Sequence, residues 1–165
     1  LHDIKSGALA HRSDYGGFNL IAGTPSKVSI LSNATSFHSS ESSGVFVLSN
    51  CPPHIEWPKT RVGAKRFSEL LRVSEGSGGQ EGLKNVLFEF LADSTPVEPS
   101  SKERDDGALS SSLERVVFVS GSHYGTRAGS VIIVDLHGHA AFYERTFDSG
   151  GQLVLESEER LKFKK

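Results

Sequence analysis

Residues 130–146 read SVIIVDLHGHAAFYERT, and this stretch decides the fold class. Ser130–Asp135 is one apolar run of strand length and Ala140–Thr146 is a second. Between them Leu136-His137-Gly138-His139 has the length and composition of a tight hairpin, with Gly138 supplying the positive φ. Two strands joined this closely can only be antiparallel, because a parallel crossover needs a dozen residues or more. Working outward, Val116–Ser120 reads as a further strand and Gln152–Glu156 alternates as an edge strand.

Upstream the period changes from two to 3.6. Pro58 suits the first turn of a helix that runs to Val73, with Gly63, Phe67, Leu70 and Leu71 on one stripe. A glycine inside a helix costs about 1 kcal/mol against alanine, so Gly63 predicts a close approach of this helix to a sheet. Glu81–Ala92 is the clearest helix, with Leu83, Val86, Leu87, Phe90 and Leu91 at three- and four-residue spacing. Asp93–Ala108, rich in Pro, Ser and charge, reads as a mobile loop, and Ala108–Glu114 as a short helix.

Nearer the start, Phe18–Ala22 reads as a buried strand, ended by Gly23-Thr24-Pro25. Val28, Ile30 and Ser32 alternate as a half-buried partner strand. Ser39–Ser43 reads as a polar loop, and 45–48 as a strand covered on both faces. Strands, then helices, then strands describe an α+β fold: antiparallel sheets with helices packed on a face. The expectation is a single domain over 1–165.

Composition narrows the function. The 165 residues suffice for one domain with a real core. A net charge of -2 supplies no electrostatic footprint for nucleic acid. One cysteine excludes a disulfide scaffold and a four-cysteine zinc site. The longest apolar run, Val131–Val134, is far short of the roughly 20 residues that cross a bilayer. Methionine is absent, so the expectation is a processed product or a piece of a longer protein.

Several clusters carry potential chemistry. His123-Tyr124-Gly125-Thr126-Arg127 lies between two apolar runs, where a rigid scaffold mounts a site. The Arg127 guanidinium suits a carboxylate or an oxyanion, and equally a structural ion pair at a turn. Asn50 ends an expected strand; its amide suits an oxyanion or a turn cap. Cys51 has His54 close by, but two prolines stiffen the link and no third orienting group is evident, so it reads as an ordinary thiol. His137 and His139 flank Gly138 without a complete ligand set. The basic residues of Lys59–Arg72 suit an anionic membrane surface, a ligand phosphate or plain solvation, and Trp57 suits an anchor.

Taken in order, these residues resemble a known family. Tyr15 with Gly17-Phe18-Asn19-Leu20-Ile21-Ala22 opens the match, followed by Leu48-Ser49-Asn50 and by Trp57, Lys59, Gly63 and Phe67. Tyr124-Gly125-Thr126-Arg127, the run ending at Asp135, Gly138-His139, Phe142 and Glu144-Arg145 complete it. The set resembles the later part of the transport and Golgi organisation protein two family, also called the NRDE family. The resemblance implies an α-β-β-α sandwich similar to N-terminal-nucleophile hydrolases, here as a partial, C-terminal portion. Family members begin Met-Cys and carry an Asn-Arg-Asp-Glu motif, and neither occurs here. Without a terminal nucleophile the chemistry lacks an attacking atom.

By resemblance, Asn50 and Arg127 take the oxyanion-type positions, with Asn19 and Tyr124 lining the same cleft. Gly17, Phe18, Trp57, Lys59, Gly63, Phe67, Gly125, Thr126, Asp135, Gly138, Glu144 and Arg145 are its structural motif residues. The implied role is non-enzymatic, in secretory-pathway and Golgi organisation, with handling of haem or an acyl lipid. The expected partner is a hydrophobic anionic small molecule, with peripheral membrane contact and no nucleic acid. The expected location is the cytoplasm, beside Golgi or mitochondria. The alternative is an inactive part of an N-terminal-Cys amide hydrolase. Missing strands would leave exposed ladder edges and favour self-association.

Overall fold

The computed structural model describes residues 6–7, 11–24, 26–33, 38–41, 43–49, 57–74, 78–100, 115–121 and 123–163. The chain gathers into two compact units, Leu1–Glu56 and Trp57–Lys165.

The first unit is a three-stranded antiparallel sheet of β1 (Asn19–Thr24), β2 (Lys27–Ser32) and β3 (His38–Glu41), in that order. The expected β1–β2 pair forms, with Ile21 opposite Ile30. Asn33 fixes its entrance: the Phe18 N–H donates to Asn33 Oδ1 at 2.6 Å, and Asn33 Nδ2 donates to the Gly16 carbonyl at 2.9 Å. Ser29, Ile30, Leu31 and Ser32 are all buried, so central β2 is covered on both faces rather than half-buried. Edge strand β1 is not the buried strand its composition suggests, since Ile21 is 60% exposed. The polar stretch expected as a loop overlaps β3, which pairs with β2 by its backbone. The strand expected at 45–48 does not form despite its continuous apolar run: no described strand pairs with it, and Phe46 and Val47 are exposed. Pro25, Asn50 and Cys51 lie outside the described residues.

The second unit holds helices α1 (Pro58–Ser74) and α2 (Gly79–Leu91) and a sheet of β4 (Ala128–Val134), β5 (His139–Phe147) and β6 (Leu153–Lys162). Every described ladder is antiparallel, so the α+β class read from the sequence holds. The hairpin forms as expected, with Gly138 at φ 81°. Alternation along β4 and β5 sends Val131, Ile133, Ala141 and Tyr143 to one face. That face packs under α2 through Leu83, Leu87, Phe88 and Leu91, with Phe67 and Leu70 of α1 behind them. Gly63 does abut a neighbour, but a helix and not a sheet: a Cβ there would meet Phe90 Cζ of α2 at 3.9 Å.

The strand expected at Val116–Ser120 does not form, although Val116 and Phe118 are buried. The backbone bonds of residues 115–121 go to single partners in irregular segments: Val97 N–H to Arg115 O at 2.9 Å and Phe118 N–H to Asp93 O at 2.9 Å. The expected helix at Ala108–Glu114 lies outside the described residues. β6 is twice the length of the Gln152–Glu156 edge strand that alternation suggests. It pairs with β5 along its length, and Glu156 in its first half joins an ionic bridge to α2. Arg145 Nε donates to Glu156 Oε2 at 2.7 Å while its guanidinium lies 4.1 Å over the Phe88 ring. Buried Lys84 meets Glu81 and, at 3.8 Å, Glu156. The Glu81 hydrogen bond raises the Lys84 pKa against the opposing effect of burial. The Arg145 hydrogen bond lowers that of Glu156.

Candidate ligand-binding site

The residues singled out in the sequence divide between the two units. Asn19 belongs to β1, where its Nδ2 donates to the Ser49 carbonyl at 3.1 Å. Tyr124, Gly125, Thr126 and Arg127 share the turn that enters β4. Thr126 locks that turn: its N–H donates to Val119 O at 2.8 Å, and its Oγ1 accepts from Val119 N–H at 3.0 Å. Tyr124 is 61% exposed, and the Arg127 carbonyl accepts from Phe147 N–H at 2.8 Å. The Arg127 side chain is exposed and makes no ion pair among the described residues. Glu144 accepts from Ser130 Oγ at 3.0 Å.

The basic face of α1 is largely engaged within the protein. Lys59 Nζ stands 5.0 Å over the Trp57 ring, Arg61 Nη2 donates to Glu98 O at 3.4 Å, and Arg66 pairs with Asp93. The carboxyl of Asp93 is itself held below its usual range, first by the Thr95 side-chain hydrogen bond.

A different place has the shape of a site. Helix α2 begins at Gly79, and the sheet face beneath it continues past that end toward the hairpin. Ile133, Ala141 and Arg160 stand in one cross-strand row over β4, β5 and β6. Past them the Asp135–His139 turn and Lys162 close the end, and Gln80 of α2 closes the side. The result is a cavity of about 340 Å³ with Ile133, Ala140, Ala141 and Leu161 as its apolar part. Its polar lining is Gln80, Asp135, His139, Arg160 and Lys162.

Asp135 organises the turn. Its Oδ1 accepts from the backbone N–H groups of His137 and His139 at 2.8 Å each, and its Oδ2 lies 2.9 Å from His139 Nδ1. The His139 side-chain hydrogen bond, followed by the backbone ones, lowers the Asp135 pKa to about 2. An ionised carboxylate only accepts, so His139 donates from Nδ1 and presents Nε2 as its remaining nitrogen. Gln80 Nε2 donates to the Tyr143 hydroxyl at 3.1 Å, which fixes the side wall. Arg160 Nε bonds Glu158 Oε1 at 2.5 Å, and Lys162 makes no ion pair among the described residues. Three groups able to be cationic thus face an apolar floor, partly offset by Asp135 and Glu158.

Sequence reasoning marked Asp135 and Gly138 only as structural motif residues and missed Gln80, Ile133, Arg160 and Lys162. Alternation about β6 was the one available signal, and the run of charges after Glu156 hid it. His137 and His139 have ring centres 6.4 Å apart, and no cluster of three or more potential metal ligands occurs among the described residues. No described helix is long and apolar enough to cross a membrane.

The profile of the family described as Transport and Golgi organisation 2 matches residues 2–149. The chain belongs to that family. No curated protein matches it. The Transport and Golgi organisation 2 match includes the Tyr124–Arg127 turn and the Asp135–His139 hairpin, and it stops before β6. Arg160 and Lys162 of the cavity therefore lie beyond the matched span.

Proposed function

We propose that this Transport and Golgi organisation 2 family protein works by binding a hydrophobic small molecule that carries a carboxylate, without turning it over. The carrying observation is the cavity at the end of α2, where an apolar floor meets Arg160, Lys162 and His139. Burying an alkyl chain supplies about 0.8 kcal/mol per CH₂, and a guanidinium fork orients a carboxylate at its end. Acyl lipids and haem share this chemistry, a carboxylate on an apolar body. For haem, His139 Nε2 would be the group that holds the iron, with Asp135 orienting the ring through Nδ1. The exposed Arg127 offers a second contact for an anionic group. The role fits a cytoplasmic protein that meets Golgi or mitochondrial membranes at their surface.

The test is titration of the full chain with oleate, followed by displacement of a fluorescent fatty acid, and with haem, followed by the Soret band. Saturable binding of one of them, weakened about tenfold or more in Arg160→Gln/His139→Asn, supports the reading. Absence of saturable binding by both probes, or equal binding by the double variant, refutes it.

A further inference from the structure

Strand β6 ends its sheet: among the described residues, only one of its edges is bonded in the order β4–β5–β6. All ten of its residues are exposed. The Phe163 N–H donates to the Gly138 carbonyl at 2.8 Å, so Phe163 turns its backbone groups toward β5. Backbone direction alternates along a strand. Glu156, Glu158, Arg160 and Lys162 consequently turn their N–H and C=O groups to the open edge. No proline interrupts Leu153–Lys162, and the edge is guarded by charged side chains alone. The charges are ordered: among these four outward residues the acids come first and the bases last.

An antiparallel copy of the strand reverses that order, and this self-complementarity selects the occupant. We propose that β6 pairs antiparallel with β6 of a second copy of this chain, in the register centred on Glu159. Glu156 then stands opposite Lys162 of the partner subunit, and Glu158 opposite Arg160 of the partner subunit. Twofold symmetry makes each pair twice. All four fall at hydrogen-bonded positions, so the open backbone groups are paired in the same step. On the opposite face Leu155 meets Phe163 of the partner subunit. The register centred on Glu158 is poorer, because it sets Glu158 against itself and gives Lys162 only Val154.

The favoured register retains one like-charge pair, Glu159 against Glu159 of the partner subunit. One strand pair is also a small interface, in the weak and transient class. The inference shares Arg160 and Lys162 with the ligand reading, but it is tested by association without ligand, so the two fail separately.

The experiment uses the full chain with Cys51→Ser, in analytical ultracentrifugation over a concentration series and in disulfide trapping. The dimer fraction rises with concentration. Glu159→Gln tightens it about threefold, and Glu158→Arg weakens it about tenfold. Glu158→Arg combined with Arg160→Glu restores it, since both charges of the pair are exchanged. Glu159→Cys forms a disulfide dimer on mild oxidation, because a non-hydrogen-bonded pair places its Cα atoms about 4.5 Å apart, within disulfide range. Glu158→Cys cross-links more slowly. A monomer at every concentration up to about 300 μM overturns the proposal. So does a dimer indifferent to Glu158→Arg, or faster trapping by Glu158→Cys than by Glu159→Cys.

Discussion

Replacing Gly63 by alanine should stabilise the second unit. Gly63 is buried inside α1 and does not have a positive φ. A Cβ added there has Phe90 Cζ as its nearest outside neighbour, at 3.9 Å, which is contact without overlap. Two effects favour the alanine. Glycine in a helix interior is about 1 kcal/mol worse than alanine, because the unfolded chain loses more freedom. The new methyl also enters an apolar seam beside the Phe67–Phe90 pair, whose rings are 5.8 Å apart. A gain of about 1 kcal/mol raises Tm by about 2–4 °C in a chain of this size. The measurement is urea unfolding followed by far-UV circular dichroism, with thermal melts as a second readout. Gly63→Leu is the control: its extra atoms have no room beside Phe90, and overpacking costs about 1–3 kcal/mol. If Gly63→Ala lowers stability, the α1–α2 spacing that underlies the argument is wrong.

Three further outcomes test other parts of the structure. Gly138→Ala should destabilise by about 1 kcal/mol, because φ is 81° there; an unchanged melting curve refutes the turn geometry. Tyr143→Phe should cost about 0.5–1.5 kcal/mol, since the hydroxyl of this 1% exposed residue accepts from Gln80; a neutral result in urea unfolding removes that bond from the account. Asp135 ionises at about 2 in the folded chain against 3.8 for the free group, so its contribution is complete above about pH 4 and fades as pH falls toward 2. Asp135→Asn should flatten the acid limb of the stability profile between those values, and an unaltered limb contradicts the assignment.

Helices α1 and α2 and the β4–β5 hairpin could be read directly, because their signals are local. A 3.6-residue apolar stripe, a proline at a first turn and a glycine at a hairpin tip each act within a few residues. Even so, the stripe on α2 did not mark Lys84 or Phe88. Their burial depends on Glu156, Arg145 and Tyr143 of the distant sheet. Strand assignments fared less well. Residues 38–41 are polar and form β3, whereas 45–48 are all apolar and form nothing regular. A strand is defined by a backbone partner, and its side chains report only which faces are covered.

The α+β class, the family and the hairpin were written in the order and spacing of the residues, because each rests on short-range chemistry. The cavity was not. It exists because β6 lies beside β5 and carries Arg160 to Ala141, and because α2 starts short of the end of the sheet. Both facts are matters of register and relative length. Those are settled by contacts between residues far apart in the chain, where pattern along one segment carries no information.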